Sequence, residues 1–267
     1  MSSIVKFKKE VWNFYKKNKR EFPWRKTHNP YKILVSELML QQTQANRVVS
    51  KFEAFIKRFP DFQRLNQATT AEVLQLWQGL GYNRRALYLK RIAEKVMTEQ
   101  KGKLQIKPEL LQEFPGIGPY TAKAIYVFVK NKPETFLETN IRRVFIHHFL
   151  KDRQGVTDKE LLPLIKQCLD SQTPREWYYA LMDYGAHLTK QISNPNRRSA
   201  HYAKQTKFEG SLRQTRGKIL KLLIAEKNLH KKELEKKIQS EHFIKALEQL
   251  EKEGFIQNEK QKIRLTS

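Results

Sequence analysis

The sequence predicts an all-α chain that closes with a small module mixing helices and strands. Three observations carry this. Apolar residues recur at helical spacing over almost the whole span up to residue 190. No stretch of that span alternates apolar and polar residues as a half-buried strand does. Only at residues 254–265, GFIQNEKQKIRL, does the pattern change to strand, polar turn, strand.

In chain order, Pro30 suits a first helical position and Asn29 its cap. Ile33, Leu34, Leu38, Ala45, Val48, Val49, Phe52 and Phe55 then follow at helical spacing. Further helices are predicted over 71–77 and 84–97. A short run, Pro108 to Phe114, leads into a sharp Pro115-Gly116-Ile117-Gly118 turn, and Pro119 opens a helix that runs to residue 129. Helices over 140–150, 158–169 and 175–188 complete this region. Residues 192–210 break the periodicity and are polar and turn-rich. Beyond them lie helices over 213–225, 231–238 and 243–253, followed by the strand pair. Three helices and a β-hairpin is the order of a winged-helix module. The predicted organisation is a main domain over 1–190, a basic linker or loop over 191–210, and a winged-helix-like module over 211–267.

Composition narrows the function. The chain has 267 residues, with 52 Lys+Arg against 27 Asp+Glu, a formal net charge of +25. A hydrophobic fraction of 39% and an aromatic fraction of 11% exclude a disordered chain. No uncharged apolar run approaches the ~20 residues of a membrane span. The first residues lack a signal-peptide pattern, and the single cysteine, Cys168, cannot form an intrachain disulfide, so an intracellular compartment is expected. A positive charge this large destabilises a compact fold unless a polyanion uses it, and nucleic acid is the expected partner.

The 114–124 segment, FPGIGPYTAKA, offers a place for that partner. Gly116 and Gly118 allow a tight turn and close approach, with Ile117 between them, and Pro119 presets the next helix. Free N–H groups at that helix start favour an anion, so this helix–hairpin–helix pattern predicts a sequence-independent grip on a phosphate. Two carboxylates also stand out. Glu37 lies among apolar neighbours in ILVSELML, where burial would raise its pKa toward that of a general acid. Glu138 stands just before the 140–150 helix. The residues alone leave each open: Glu37 could face solvent, and Glu138 could serve the helix dipole.

A resemblance points further. Residues 22–190 resemble the helix–hairpin–helix base-excision DNA glycosylases, and specifically the MutY-type adenine glycosylases. The matching stretches, in family order, are FPWR (22–25), PYKILVSELMLQQTQ (30–44), LWQGLGY (76–82), FPGIGPYTAKA (114–124), NIRRV (140–144) and ALMDYGA (180–186). The resemblance implies two helical subdomains with the active site in an interdomain cleft, and a target nucleotide flipped out of duplex DNA. It implies that Glu37 protonates the leaving base, at N7 for adenine. Glu138 then stabilises the oxocarbenium-like sugar or bonds to it, as paired carboxylates do in glycoside hydrolysis. Asn140 positions Glu138 or the water, and Tyr120 hydrogen-bonds within the site. Relatives with lyase activity carry a Schiff-base lysine where this chain has Tyr120, so a monofunctional enzyme is expected. Arg25 and Leu40 correspond to pocket walls, Gln41 and Gln42 to the flipped base and the duplex gap, and Tyr82 to a wedge beside the orphan base. Gly116, Ile117, Gly118, Lys123, Arg197 and Arg198 are the expected phosphate contacts.

Three departures from the family pattern are visible. Glu138 replaces an aspartate, which extends the carboxylate by ~1.5 Å. The cluster cysteines expected after residue 190 are absent and NPNRRS (194–199) stands there, so no iron–sulfur cluster is expected. Tyr179 replaces the Gln or Glu with which adenine-specific relatives read the base, and a phenol cannot supply the paired donor and acceptor that adenine invites. The resulting expectation is a cofactor-free DNA glycosylase acting on adenine opposite guanine or 8-oxoguanine. Excision of thymine or uracil opposite guanine, and damaged-DNA binding without turnover, stand beside it. A monovalent cation at the hairpin, a monomeric state, a protein partner for the C-terminal module, no membrane association and a cytoplasmic, nucleoid-associated location complete the expectation.

Overall fold

The computed structural model describes residues 3–266. The helices are α1 (Ser3–Asn18), α2 (Pro30–Leu40), α3 (Ala45–Arg58), α4 (Phe62–Gln67), α5 (Thr70–Trp77), α6 (Arg84–Glu99) and α7 (Pro108–Leu111). They continue with α8 (Pro119–Lys130), α9 (Thr139–Phe149), α10 (Asp158–Cys168) and α11 (Pro174–Gln191). The C-terminal module adds α12 (Leu212–Glu226), β1 (Asn228–His230), α13 (Lys231–Ile238), α14 (Phe243–Lys252), β2 (Ile256–Glu259) and β3 (Lys262–Leu265). The chain groups into two compact units. One comprises the residues up to Ile33, Ile106–Glu113 and Ile117–Lys204. The other comprises Leu34–Gln105, Phe114–Gly116 and the residues from Gln205 onward.

In the first unit α11 is the central helix. Trp177, Tyr178, Ala180 and Leu181 are wholly buried, and the helix packs on α9 and α1. Aromatic rings fill this core. Phe136 stacks on Tyr178 at 3.8 Å, and Phe7 meets Phe145 edge-on at 5.3 Å. Such contacts add to the burial of large apolar surface that holds the helices together. Gly185 lets α11 approach the start of α9, where a Cβ would lie 2.3 Å from the Asn140 carbonyl oxygen.

In the second unit α4 and α5 pack on α6 around Trp77, Leu89 and Ile92. A capping box starts α5: Thr69 accepts from the Glu72 N–H, and the Glu72 carboxylate accepts from the Thr69 N–H. The C-terminal module forms a three-stranded antiparallel sheet in the order β1-β3-β2, with Leu229 opposite Ile263 and Ile256 opposite Leu265. Its core is Ile219, Leu223, Leu234, Leu250, Phe255 and Ile263. The winged-helix order expected from the sequence is present, with β1 inserted after the first helix; three residues are too few to show a period of two.

Four features correct the sequence-based organisation. The apolar run after Pro30 is two helices, broken at Gln41–Gln44 by Gln42 in a left-handed conformation (φ 53°). Helices α1 and α4 were not anticipated. The C-terminal module groups with residues 34–105: α12 packs on α5, and Glu253 accepts from both Arg84 and Arg216. The 191–210 segment is not a uniform linker. Residues 195–198 form a 3-10 turn in the first unit, and Val156 bridges to Ser199. Unpaired backbone groups are costly to bury, and the turn supplies their partners.

Candidate functional site

The start of α9 carries the first group of candidate residues. Glu138 is the N-cap residue, and its Oε1 accepts from the N–H groups of Asn140 at 2.7 Å and Ile141 at 3.0 Å. The Asn140 side chain donates to Glu138 Oε2 at 3.2 Å. Asn140 is held in turn, since its carboxamide oxygen accepts from Arg143 at 2.7 Å. Burial pushes the Glu138 pKa above the ordinary glutamate value, opposed by its three N–H donors and the Arg143 charge. The carboxylate is thus fixed in orientation, as a group that must face a developing positive charge requires. Tyr120 lies half-buried one residue into α8, its ring 5.7 Å from that of Phe136.

The loop after residue 190 is stitched to the same helix start. Asn194 Oδ1 accepts from Arg143 Nε at 3.1 Å, and Asn196 donates to the Thr139 carbonyl at 2.9 Å. Arg143 donates as well to the Gly185 carbonyl at 2.7 Å. A continuous network therefore runs from Asn194 through Arg143 and Asn140 to Glu138. Arg197 is exposed and Arg198 half-buried on this loop.

At the hairpin, Gly116 takes φ +78° and packs so tightly that a Cβ there would sit 2.3 Å from the Tyr88 ring. Gly118 differs. It caps α8, a Cβ on it would meet nothing within 4 Å, and Pro119 follows. The α8 N-terminus thus presents its N–H groups without steric cover from this residue, while Ile117 is buried beneath. Gly116 provides the close packing and Gly118 the open approach. The Lys123 ammonium, a predicted phosphate contact, donates to Glu134 at 2.8 Å and to the Thr135 carbonyl at 3.3 Å, and the pair is partly exposed.

Arg25 and Tyr179 also receive structural duties. Arg25 donates to both oxygens of buried Asp183, each at 2.8 Å, and its guanidinium lies 4.5 Å over the Tyr179 ring. Phe128 stacks on the same ring at 4.8 Å, and the Arg175 guanidinium lies 5.5 Å from its centroid. Tyr179 is buried among these side chains. Asp183 was not singled out by the sequence. Its signal was a carboxylate one helical turn after Tyr179, between apolar Leu181 and buried Tyr184.

The second unit supplies the other candidates. Glu37 is 6% exposed on α2, between wholly buried Ser36 and Leu38, as the apolar flanks predicted. Leu40 ends that helix half-buried. Gln41 donates to the Gly116 carbonyl at 3.1 Å, so its amide supports the hairpin. Gln42 and Tyr82 are exposed at two turn tips, and both hold left-handed backbones that side-chain-bearing residues rarely adopt (φ 53° and 46°). Arg85 explains how. Buried and facing no carboxylate among the described residues, it donates to the carbonyls of Leu38, Met39 and Gln41 on one turn, at 2.8, 2.8 and 2.5 Å. On the other turn it reaches Leu80, Gly81 and Tyr82, at 3.3, 2.8 and 3.2 Å. Burial pushes its pKa down to about 10. Arg85 falls in helical phase with Leu89 and Ile92, and an arginine on a core-facing stripe was the signal available in the sequence.

Residues 35–167 match the HhH-GPD superfamily, described as base excision DNA repair proteins. An adenine DNA glycosylase of Mycolicibacterium smegmatis is 32% identical over 231 residues, covering 80% of this chain and 79% of the relative. An adenine DNA glycosylase of Buchnera aphidicola is 34% identical over 200 residues, and the match spans 73% of this chain but only 56% of the length of that relative. A thymine/uracil-DNA glycosylase of Pyrobaculum aerophilum is 29% identical over 187 residues, covering 67% of this chain and 81% of the relative. Among solved structures, a thermostable thymine-DNA glycosylase superposes with a TM-score of 0.62 at 25% identity, covering 69% of this chain and 86% of that one.

Proposed function

Because this chain belongs to the HhH-GPD superfamily of base excision DNA repair proteins, we propose that it is a monofunctional DNA glycosylase that excises adenine opposite guanine or 8-oxoguanine. The observation that carries this reading is the orientation of Glu138 by three N–H donors at the start of α9. A carboxylate fixed in that way, with a buried acid at Glu37, is the pair that cleavage of an N-glycosidic bond needs. Glu37 gives its proton to the departing base, whose glycosidic electron pair leaves with it. The sugar is left electron-poor at C1′, and the Glu138 anion stabilises it until water adds and releases a proton. Asn140 holds the Glu138 carboxylate. Tyr120 has no amine with which to form a Schiff base, so the strand is left intact.

DNA is the substrate by the same reading. The net charge of +25 supplies affinity that is independent of sequence, and the open α8 N-terminus at Gly118 supplies a phosphate contact. The reaction is hydrolytic and uses no cofactor. One cysteine cannot hold a four-cysteine cluster, and in its place the Asn194–Asn196 loop braces α9 through hydrogen bonds. A cation at the hairpin would bind backbone carbonyls, and that of Gly116 accepts one hydrogen bond from Gln41.

The test is strand nicking after alkali on duplexes carrying A·8-oxoG, A·G, T·G and U·G. Product from the first two alone, abolished by Glu37→Gln, is the expected result. Product from T·G and U·G alone would replace adenine with the second reading, which the similarity to thymine and thymine/uracil glycosylases and the buried Tyr179 favour. Tight binding to abasic DNA without product on any duplex would refute catalysis.

A further inference from the structure

The C-terminal module has the helices of a helix-turn-helix reader, yet its charge lies elsewhere. In such modules the second helix of the motif enters the major groove of duplex DNA. That helix here is α14. Its exposed side chains, Ile244, Lys245, Glu248, Glu251 and Lys252, carry two ammonium groups against two carboxylates. Two more of its residues are engaged within the second unit: Gln249 and Glu253 each accept from Arg216 at 3.0 Å, and Arg84 also donates to Glu253. A helix whose exposed charges cancel offers a polyanion little.

The cations gather on the sheet instead. β3 runs between β1 and β2, and the register puts Asn228, Arg264 and Gln257 in one row and His230, Lys262 and Glu259 in another. Side chains alternate across a sheet, so these six share the face opposite buried Leu229 and Ile263, and all six are exposed. The β2–β3 turn adds Lys260, and the start of α13 is tied to that turn by the Lys231 N–H, which donates to the Gln261 carbonyl at 2.8 Å. Residues 227–232 and 257–264 together hold five lysines and one arginine against one carboxylate, Glu259. Among the described residues none of these five lysines is ion-paired; the neighbouring acids Glu226 and Glu233 pair with Lys237. Arg264 reaches Glu259 at 2.8 Å, but both side chains are more than half exposed, and a pair of that kind yields readily to a phosphate.

Two ordinary reasons for such a surface fail. Lysines on a sheet commonly guard an unpaired edge against another strand, but β3 is paired on both sides and has no edge to guard. Local preference does not account for the tip either. Lys260 and Gln261 hold left-handed backbones, at φ 48° and 69°, where two-residue turns favour asparagine and glycine. A lysine kept where glycine would fit better points to use of its charge.

We propose that the open face and tip of this sheet bind the phosphate backbone of duplex DNA, a second contact that reads neither the excised base nor its partner. The module holds DNA by its strands and not by α14. This goes beyond the excision chemistry: it requires DNA as the partner and is indifferent to which base is removed.

The experiment measures Kd for an undamaged duplex by fluorescence anisotropy between about 50 and 200 mM salt, where each lost phosphate contact flattens the slope of log K against log salt by about 0.9. The proteins are the full chain, the triple variant Lys260→Ala/Lys262→Ala/Arg264→Ala, the charge-keeping Lys260→Arg/Lys262→Arg, and Lys245→Ala/Lys252→Ala on α14. The triple variant should flatten the slope by about 2 to 3 and weaken binding about 10-fold or more at the low-salt end. The arginine variant and the α14 variant should keep the parent slope. Thermal melts check folding, which substitution of exposed side chains leaves intact. An unchanged slope in the triple variant, or an equal loss in the α14 variant, overturns the proposal. Lost sedimentation with phosphatidylglycerol vesicles at an unchanged DNA slope would assign the face to a membrane surface and overturn it too. Single-turnover nicking scores the glycosylase reading separately. Product with an unchanged slope would remove the sheet and keep the glycosylase; a flattened slope without product on any duplex would do the reverse.

Discussion

Substituting Gly185 by alanine should damage the reaction without touching a reacting group. The ideal Cβ at this position falls 2.3 Å from the Asn140 carbonyl oxygen and 2.9 Å from the Asn140 Cβ. The first of these atoms is backbone and cannot rotate away. Restoring ordinary contact requires α9 and α11 to part by about 1 Å, and overpacking of this kind costs about 1–3 kcal/mol. The displaced segment carries the Asn140 N–H, which holds Glu138 at 2.7 Å. A misplacement near 1 Å at a reacting carboxylate lowers rates on the order of 100-fold. Single-turnover excision and urea denaturation on the same preparation measure both effects. Gly217→Ala is the control: it lies within α12, a Cβ there meets nothing within 4 Å, and alanine should stabilise that helix by up to about 1 kcal/mol with the rate unchanged. If Gly185→Ala keeps both its denaturation midpoint and a rate within about threefold of the parent, the tight α9–α11 contact does not position Glu138.

Other perturbations read other parts of the molecule. Gly118→Asp should leave the fold intact, because aspartate is a favoured N-cap, yet place a negative charge where a phosphate docks. Anisotropy should show Kd rising about 10-fold for matched and mismatched duplexes alike; an unchanged Kd would remove the hairpin from the interface. The pH–rate profile should carry an acidic limb displaced above the ordinary glutamate value of 4.5, since burial raises Glu138 and only its ionised form can stabilise the sugar. Activity is therefore lost as pH falls through that raised value, and Asn140→Ala, which removes one donor to the anion, should shift the limb higher still; a limb at or below 4.5 would assign it to another group. Glu253→Gln should lower stability by about 1–2 kcal/mol at neutral pH, discounted for the exposure of Arg84. Burial alone would raise the Glu253 pKa, but Arg84 and Arg216 outweigh it and hold the group below its usual 4.5. The stability it contributes is thus present above 4.5 and lost as pH falls through the depressed value, so melting curves of the two proteins should converge in acid.

Much of the helical framework was legible because long amphipathic segments announce themselves. The spans of α5, α6, α9, α10 and α11 lie within a few residues of those predicted from apolar spacing. The break at Gln41–Gln44 was not legible, and the reason is physical. A glutamine at φ 53° has no local signature, and it is held there by Arg85, more than forty residues away. The same holds for β1, which exists because Leu229 finds Ile263 across the ladder. Local pattern reports what a segment prefers; it cannot report a conformation imposed by a distant partner.

That distinction separates the parts of the candidate site as well. Glu37 could be picked out because its apolar flanks predict burial, and Glu138 because it stands where an N-cap is needed. Lys123, Arg25 and Tyr179 carried residue types suited to phosphate or base contact, but side-chain type does not reveal a competing partner. Glu134 neutralises the first, Asp183 clamps the second and Phe128 covers the third. The bracing of Glu138 was invisible for a related reason. Asn194, Arg143 and Asn140 form one hydrogen-bonded path, yet Asn194 is fifty-one residues from Arg143 in sequence. Buried Pro195 and Asn196, with their hydrogen bonds, order the segment after residue 190. Asn194 on that segment supplies the acceptor for Arg143, and through Asn140 the orientation of the Glu138 carboxylate.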